Sequence, residues 1–317
     1  MLKYLIIPLA KDAVSFCHYE KGESEDKLIP LEILKKALFW AMKENLNVQF
    51  LYPDFGLSEN YKLLIDSVDH VDIVSAQCND FALMQSAEII VFNSWEALMA
   101  ADLDATKSYI VRTSKNALFE NFEALTVAIK KASRLVVTIT DIETFTDDDF
   151  AKYSEFLERL IPVVKLEYLE NHHVQLNILT DRMYLGNMNN CNAGWESITL
   201  APDGKFYVCP AFYLNGSKPV GDLTSGLDIK NPQLFHLSHA PICRNCDAFQ
   251  CRRCVWLNRK TTLEVNTPSH EQCVIAHIER NAAKKLLEAI RELGEFLPEK
   301  SIHDIDYLDP FENLISK

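Results

Sequence analysis

Residues 243–254 read CRNCDAFQCRRC, four cysteines in the spacing C-x2-C-x4-C-x2-C. Two residues between paired cysteines let the chain turn so that both sulfurs face one metal centre, and soft thiolates select zinc or iron–sulfur chemistry. Upstream stand Cys191 and Cys209, and downstream Cys273, so seven of the nine cysteines lie between positions 191 and 273. Only Cys17 and Cys78 occur before them. A zinc ribbon separates its two pairs by about fifteen to twenty residues, whereas four intervene here. Four cysteines this close could still wrap one zinc. Seven thiols cannot complete two four-cysteine sites, so one site takes a non-cysteine ligand or stays open.

The cysteine distribution divides the chain into a cysteine-poor first part and a cysteine-rich second part. To about residue 180, short β-branched or apolar runs alternate with longer helical patterns, the signature of strand and helix units around a mainly parallel sheet. Seven strands are expected: Tyr4 to Leu9, Val48 to Tyr52, Val71 to Val74, Ile89 to Phe92, Tyr109 to Val111, Leu135 to Ile139 and Val174 to Leu179. Pro30 suits a first helical turn, and Leu34, Ala37, Leu38, Ala41 and Met42 then keep helical spacing. Leu118, Phe122, Leu125 and Ile129 repeat the pattern, and Asp147 to Asp149 suit a helix N-terminus. Short strand-like pieces at Ser197 to Leu200 and Lys205 to Val208 flank an APDG turn in the second part. Ser269 and Gln272 form a capping-box pattern for a helix running to Leu293 and stopping at Gly294, with Cys273 in its first turn. Its apolar stripe, Ile275, Ile278, Ala282, Leu286, Ala289, Ile290 and Leu293, reads as core packing.

Several functions are disfavoured. A net charge of −13 argues against nucleic-acid binding, which needs a basic face. No run reaches the roughly 18 apolar residues of a membrane span, and MLKYLIIPLA is too short for a secretion signal. The chain therefore reads as a soluble cytoplasmic protein with reduced thiols. Gly22 and Gly56 are the only glycines before residue 180, so neither GxGxxG nor GxxxxGK[ST] is present to cradle a phosphate. There is no GxSxG elbow. His172 and His173 are adjacent and read as loop or strand-edge residues rather than ligands, and Cys78 as an inert buried thiol.

CNAGWESITLAPDGKFYVCPAF at 191–212, with its G-x4-C ending, GDL at Gly221 to Leu223, the 243–254 run and Cys273 together resemble the SPASM domain. This domain carries auxiliary [4Fe–4S] clusters at the C-terminal end of radical SAM peptide-modifying enzymes. The family more often reads C-x2-C-x5-C-x3-C, one residue longer in each of the last two gaps. The first part then resembles a partial (β/α) barrel of radical SAM type. It lacks the C-x3-C-x2-C loop that holds the SAM-cleaving cluster: the corresponding AVSFCHYEKGESED has Cys17 alone, and YPDFG stands where a GGE-like segment is usual. The opening KYLIIPLAKDAVSFCHYE and LIPLEILKKALFWAMKENLNVQFLYPD add a resemblance to the CXXX repeat peptide maturase family over most of the chain.

The resemblance implies an α/β protein in three parts: a degenerate radical SAM-like partial barrel at 1–180, a SPASM-like iron–sulfur domain at 181–275, and a C-terminal helix and tail at 276–317. It implies that Cys243, Cys246, Cys251 and Cys273 hold one [4Fe–4S] cluster. Cys191, Cys209 and Cys254 would hold three irons of a second, whose fourth iron would be free for a substrate thiolate. Arg244, Arg252, Arg253, Arg259 and Lys260 make this stretch basic, which would offset cluster charge or dock an acidic partner. Cys17, followed by His18, is read as a relic of the lost cluster loop. The implied function is that of an accessory maturase that does not bind or cleave SAM itself. Its partners would be a cysteine-containing precursor peptide and a separate radical SAM enzyme. A stand-alone iron–sulfur enzyme acting on peptide cysteines and a zinc-stabilised binding module are the alternatives.

Overall fold

A computed structural model describes residues 2–23, 27–188, 191–292 and 294–303. Seven strands, β1 (Tyr4–Pro8), β2 (Asn47–Leu51), β3 (His70–Ser75), β4 (Ile89–Phe92), β5 (Ser108–Thr113), β6 (Arg134–Ile139) and β7 (Gln175–Leu176), fall on the seven expected segments. Each pairs in parallel with its neighbour in chain order. Between them run α1 (Leu31–Lys43), α2 (Glu59–Ile65), α3 (Phe81–Ser86), α4 (Trp95–Ala100), α5 (Lys115–Glu120), α6 (Phe122–Lys131) and α7 (Asp147–Leu169). Right-handed crossovers in sequential order put every helix on one face of the sheet. That is the layout of an opened (β/α) barrel rather than a doubly wound sheet.

The two faces bury different residues, as strand alternation requires. Leu5, Ile7, Phe50, Val74, Val111, Leu135 and Val137 join the helix-side core with Leu34, Ala37, Leu38 and Ala41 of α1 and Leu125 and Ile129 of α6. Met42, expected on the same stripe, is exposed on the solvent side of α1. The opposite face presents Ile6, Leu51, Ile73, Val91, Ile110 and Val136. The segment after β1 folds back over it: Ala13, Val14 and Phe16 pack on those side chains.

β7 is shorter than the expected 174–179 run because the Asn177 side chain replaces the ladder. Its Oδ1 accepts from Val137 N at 2.7 Å and its Nδ2 donates to Val137 O at 3.0 Å. The helical pattern around 118–129 breaks at Asn121 into α5 and α6. The three aspartates open α7 as expected, inside a capping box in which Thr146 Oγ1 accepts from Asp149 N and Asp149 accepts from Thr146 N.

The sheet continues beyond the cysteine-poor part. After α8 (Asp181–Tyr184), β8 (Ser197–Leu200) pairs in parallel with β1, Tyr4 opposite Ser197, and β9 (Phe206–Tyr207) turns back antiparallel beside it. The order is therefore β7-β6-β5-β4-β3-β2-β1-β8-β9. The change near residue 180 is thus one of composition and not of the sheet. Gly204, at φ +77, closes the expected APDG turn. α9 (Pro210–Leu214), α10 (Val255–Thr262) and α11 (His270–Arg291) follow, and α11 lies along α7. Ile275, Ala282, Leu286 and Ile290 of α11 enter the main core, as the expected stripe requires. Leu293 lies outside the described residues, as does the tail from 304 onward. Ser269 caps α11 by accepting from Gln272 N, but the Gln272 side chain donates to Asn258 Oδ1 at 3.1 Å, so the expected reciprocal box is half made.

Candidate functional site

The seven cysteines of the second part arrive on four pieces of chain. Cys191 precedes the β8 turn, and its carbonyl accepts from Ser197 Oγ at 2.9 Å. Cys209 follows β9 and opens α9. The 243–254 run winds through tight turns, with Cys246 N donating to Cys243 O and Cys251 N to Ala248 O. Cys254 caps α10, its Sγ accepting from Leu257 N at 3.5 Å, and Cys273 sits in the first turn of α11. Backbone N–H groups at both places favour a thiolate. Cys246 Sγ meets Ala248 N at 3.4 Å and His277 Nε2 at 3.5 Å.

These sulfurs fall into two sets by mutual influence. In one, the charge of Cys254 and of Cys191 acts on Cys209, and that of Cys191 on Cys254. In the other, Cys273 and Cys246 act on Cys243, Cys243 and Cys246 act on Cys251, and Cys246 acts on Cys273. Burial pushes every one of these thiols up, Cys243 to about 12 and Cys254 and Cys273 to about 11. Cys191 reaches the surface, yet the protein mass around it still raises its thiol. Among the described residues, no three His, Cys, Asp or Glu side chains converge as ligands of a single metal ion.

Between the two sets lies Arg253, 2% exposed and held at φ +40. Its charge acts on Cys191 of the first set and on Cys243 and Cys251 of the second. Nη2 donates to Phe235 O at 2.6 Å, while among the described residues nothing accepts from Nε or Nη1. A buried guanidinium with idle donors is costly unless an anionic group faces it. The donor set and this cation fit a thiolate-ligated centre of net negative charge.

A second fixture anchors the 243–254 run. Asp247 accepts from Arg280 Nε and Nη2, both at 2.7 Å, and from Arg182 Nη2 at 3.2 Å, and Arg182 stacks over Phe249 at 4.4 Å. Asp247 thereby ties the cysteine run to α11 and α8. The basic stretch noted in the sequence divides: Arg253 is enclosed, Arg252 Nη1 reaches Thr138 Oγ1 at 3.4 Å, Arg259 bonds Leu263 O, and Lys260 pairs with Glu143.

A cavity of about 60 Å³ opens beside the second set, lined among others by His18, Thr138, Ile139, Cys251, Cys254 and Glu279. Burial raises the Glu279 carboxyl to about 7, although Tyr153 Oη and Gln250 Nε2 donate to it. Sequence reasoning missed Glu279 and the Asp247 clamp, since neither has a spacing signature. A larger polar cleft, about 660 Å³, lies at the C-terminal ends of β3 to β6 and includes Glu20, Lys21, Asp54, Asn93 and Arg112. Arg112 is already committed there: it donates to Cys17 O, Tyr19 O, Asn93 Oδ1 and Glu20 Oε1, strapping the segment after β1 to β5.

Cys17 is not the isolated relic expected. It lies within electrostatic reach of Cys191 and Cys254, and His18 Nδ1 sits 2.9 Å from Ile139 O. Burial pushes the Cys17 thiol up and lowers His18 to about 4. Cys78 stands apart as a buried thiol. His172 pairs with Glu167 at 2.9 Å, and His173 stacks on Tyr168.

No protein-family profile matches the chain, and no curated protein sequence matches it. Among solved structures it is similar to Streptococcus suis SuiB bound to precursor peptide SuiA. That similarity has 13% identity and a TM-score of 0.48, over 86% of this chain and 76% of that one. A second SuiB structure matches at 13% identity and a TM-score of 0.43, over 79% of this chain and 71% of that one. Among the described residues, no helix is long and apolar enough to cross a membrane.

Proposed function

We propose that this protein is an accessory component in the maturation of a ribosomally made peptide. In this reading it carries two [4Fe–4S] clusters, binds a cysteine-containing precursor peptide and a separate radical SAM enzyme, and leaves SAM cleavage to that enzyme. The observation that carries the reading is the assembly of buried thiols into two sets, with Arg253 enclosed between them and two of its donors idle. Cys243, Cys246, Cys251 and Cys273 hold one cluster, and Cys191, Cys209 and Cys254 hold three irons of the other. Bound there, clusters supply electron transfer and an affinity for thiolate sulfur.

The chain's own groups do the rest. Arg253 offsets the charge of both sets, and Asp247 fixes the run that carries four of the ligands. The wide separation of the thiols favours a multi-iron centre over one zinc, which gathers its sulfurs around a point at about 2.3 Å. Ala13, Val14 and Phe16 occupy the sheet face where a (β/α) enzyme keeps its reactants, which supports a chain that does not itself cleave SAM. The polar cleft at the strand ends is where the precursor peptide lies.

The test begins with iron and acid-labile sulfide analysis of protein purified and reconstituted without oxygen. About eight irons and eight sulfides per chain, with a broad band near 400 nm, are expected. Zinc without sulfide would overturn the cluster assignment and leave a zinc-stabilised binding module. Peptide modification should then need the partner enzyme and SAM together; turnover by this chain alone would make it a stand-alone enzyme.

A further inference from the structure

The geometry points to Cys17 as the fourth thiolate of the site formed by Cys191, Cys209 and Cys254, so that this chain closes its second cluster with a residue from the loop after its first strand. The inference rests on the cluster reading above and replaces the open iron that seven cysteines imply. Cys17 is separated from Cys191 by most of the sheet in sequence, yet the fold carries it to the cysteine layer by two fixed points on β6. His18 Nδ1 lies 2.9 Å from Ile139 O, and Arg252 Nη1 donates to Thr138 Oγ1 of the preceding residue at 3.4 Å. His18 and Cys254 line the same cavity. From the other side, Arg112 holds Cys17 O at 2.9 Å and Tyr19 O at 2.7 Å, which sets the backbone on both sides of the thiol.

The neighbours of Cys17 complete the set. It is within electrostatic reach of Cys191 and Cys254, and Tyr19, two residues on, is within reach of both Cys17 and Cys209. Four thiols then face one another on each side of Arg253, one set of 17, 191, 209 and 254 and one of 243, 246, 251 and 273. The cations fit as well. Arg252 and Arg112 act on Cys17, and Arg252 and Arg253 act on Cys191, so three guanidiniums offset the negative charge that a fourth thiolate adds. The Tyr19 hydroxyl is buried with no hydrogen-bond partner among the described residues, a donor idle beside the same thiols.

Ligation is a substitution and not a redox step. Cys17 Sγ–H gives its proton to solvent, the sulfur lone pair forms the bond to iron, and whatever small ligand held that iron leaves with its own electron pair.

The experiment compares the wild-type chain with Cys17→Ser and Cys17→Ala, all reconstituted anaerobically. Iron, sulfide and the EPR spectrum of the reduced protein are recorded before and after adding cyanide or a small thiol. The wild type is expected to ignore the probes because every iron is occupied. The variants are expected either to lose one cluster, about half the iron, or to keep it and show a probe-dependent change confined to one EPR signal. Wild-type clusters that respond to cyanide or thiol overturn the inference, whatever the variants do. Variants with full iron and no probe response also overturn it. If the wild type binds no iron, the cluster reading itself fails, a result separate from either. Should both variants fold poorly, the wild-type probe response decides alone.

Discussion

Replacing Asp247 with alanine should destabilise this protein by about 3 to 5 kcal/mol, the usual cost of removing one partner from a buried ion pair. Arg280 is 1% and Arg182 5% exposed, and Asp247 is the carboxylate both address. Without it, two guanidiniums remain buried near one another, each disfavoured by desolvation and by the other's charge. Arg280 keeps its bonds to Asn281 Oδ1 and His303 O, which places the loss toward the lower bound. With a urea slope of about 3 kcal/mol/M, the unfolding midpoint should fall by about 1 to 1.7 M, read by far-ultraviolet circular dichroism under argon. Asp247→Asn, which keeps an acceptor but no charge, should fall between. Raising sodium chloride tenfold should change the difference little, because buried charges are poorly screened. The combined Arg182→Met, Asp247→Leu and Arg280→Met variant should recover most of the loss, since an apolar triad needs no counter-charge. A shift below about 1 kcal/mol, or one that disappears in salt, would refute the buried-clamp argument.

Two further outcomes are expected. His70, raised to about 9 chiefly by its hydrogen bond to Asp72, contributes stability that is complete below its ordinary value of 6.5 and is lost as the pH climbs through 9. His70→Gln should therefore cost about 1 to 3 kcal/mol at pH 6 and almost nothing at pH 10, and equal losses at both would count against the pairing. Thr146→Ala should cost about 1 kcal/mol by opening the first turn of α7, measurable as a lower thermal midpoint. Thr146→Ser should restore it, and failure to do so would mean that the hydroxyl cap is not the source.

Most of the sheet was legible because each strand is a compact β-branched run, and Val74, Val91 or Val136 needs no partner elsewhere in the chain to be recognised. The capping aspartates of α7 were legible for the same local reason. What was hidden depends on contacts that only folding creates. Asn177 shortens β7 through a side chain that imitates backbone, and Gln272 abandons its cap for Asn258. The site divides in the same way. Spacing exposes the cysteines of the 243–254 run, whereas the company Cys17 keeps is set by β6, more than a hundred residues away. Arg253 looked like one more surface charge until its burial, at 2% exposure, separated it from Arg259.

The pairing of β1 with β8 has a kinetic consequence. Tyr4 finds its partner at Ser197, so one side of the first strand stays unsatisfied until nearly two-thirds of the polypeptide has left the ribosome. Contacts of such long loop closure form slowly, and an exposed parallel edge in the interval invites pairing with other chains. Because Cys191 and Cys209 flank the very hairpin that seals this edge, metal delivery has to wait for the sheet to finish, and a chain starved of iron would linger in its most aggregation-prone form.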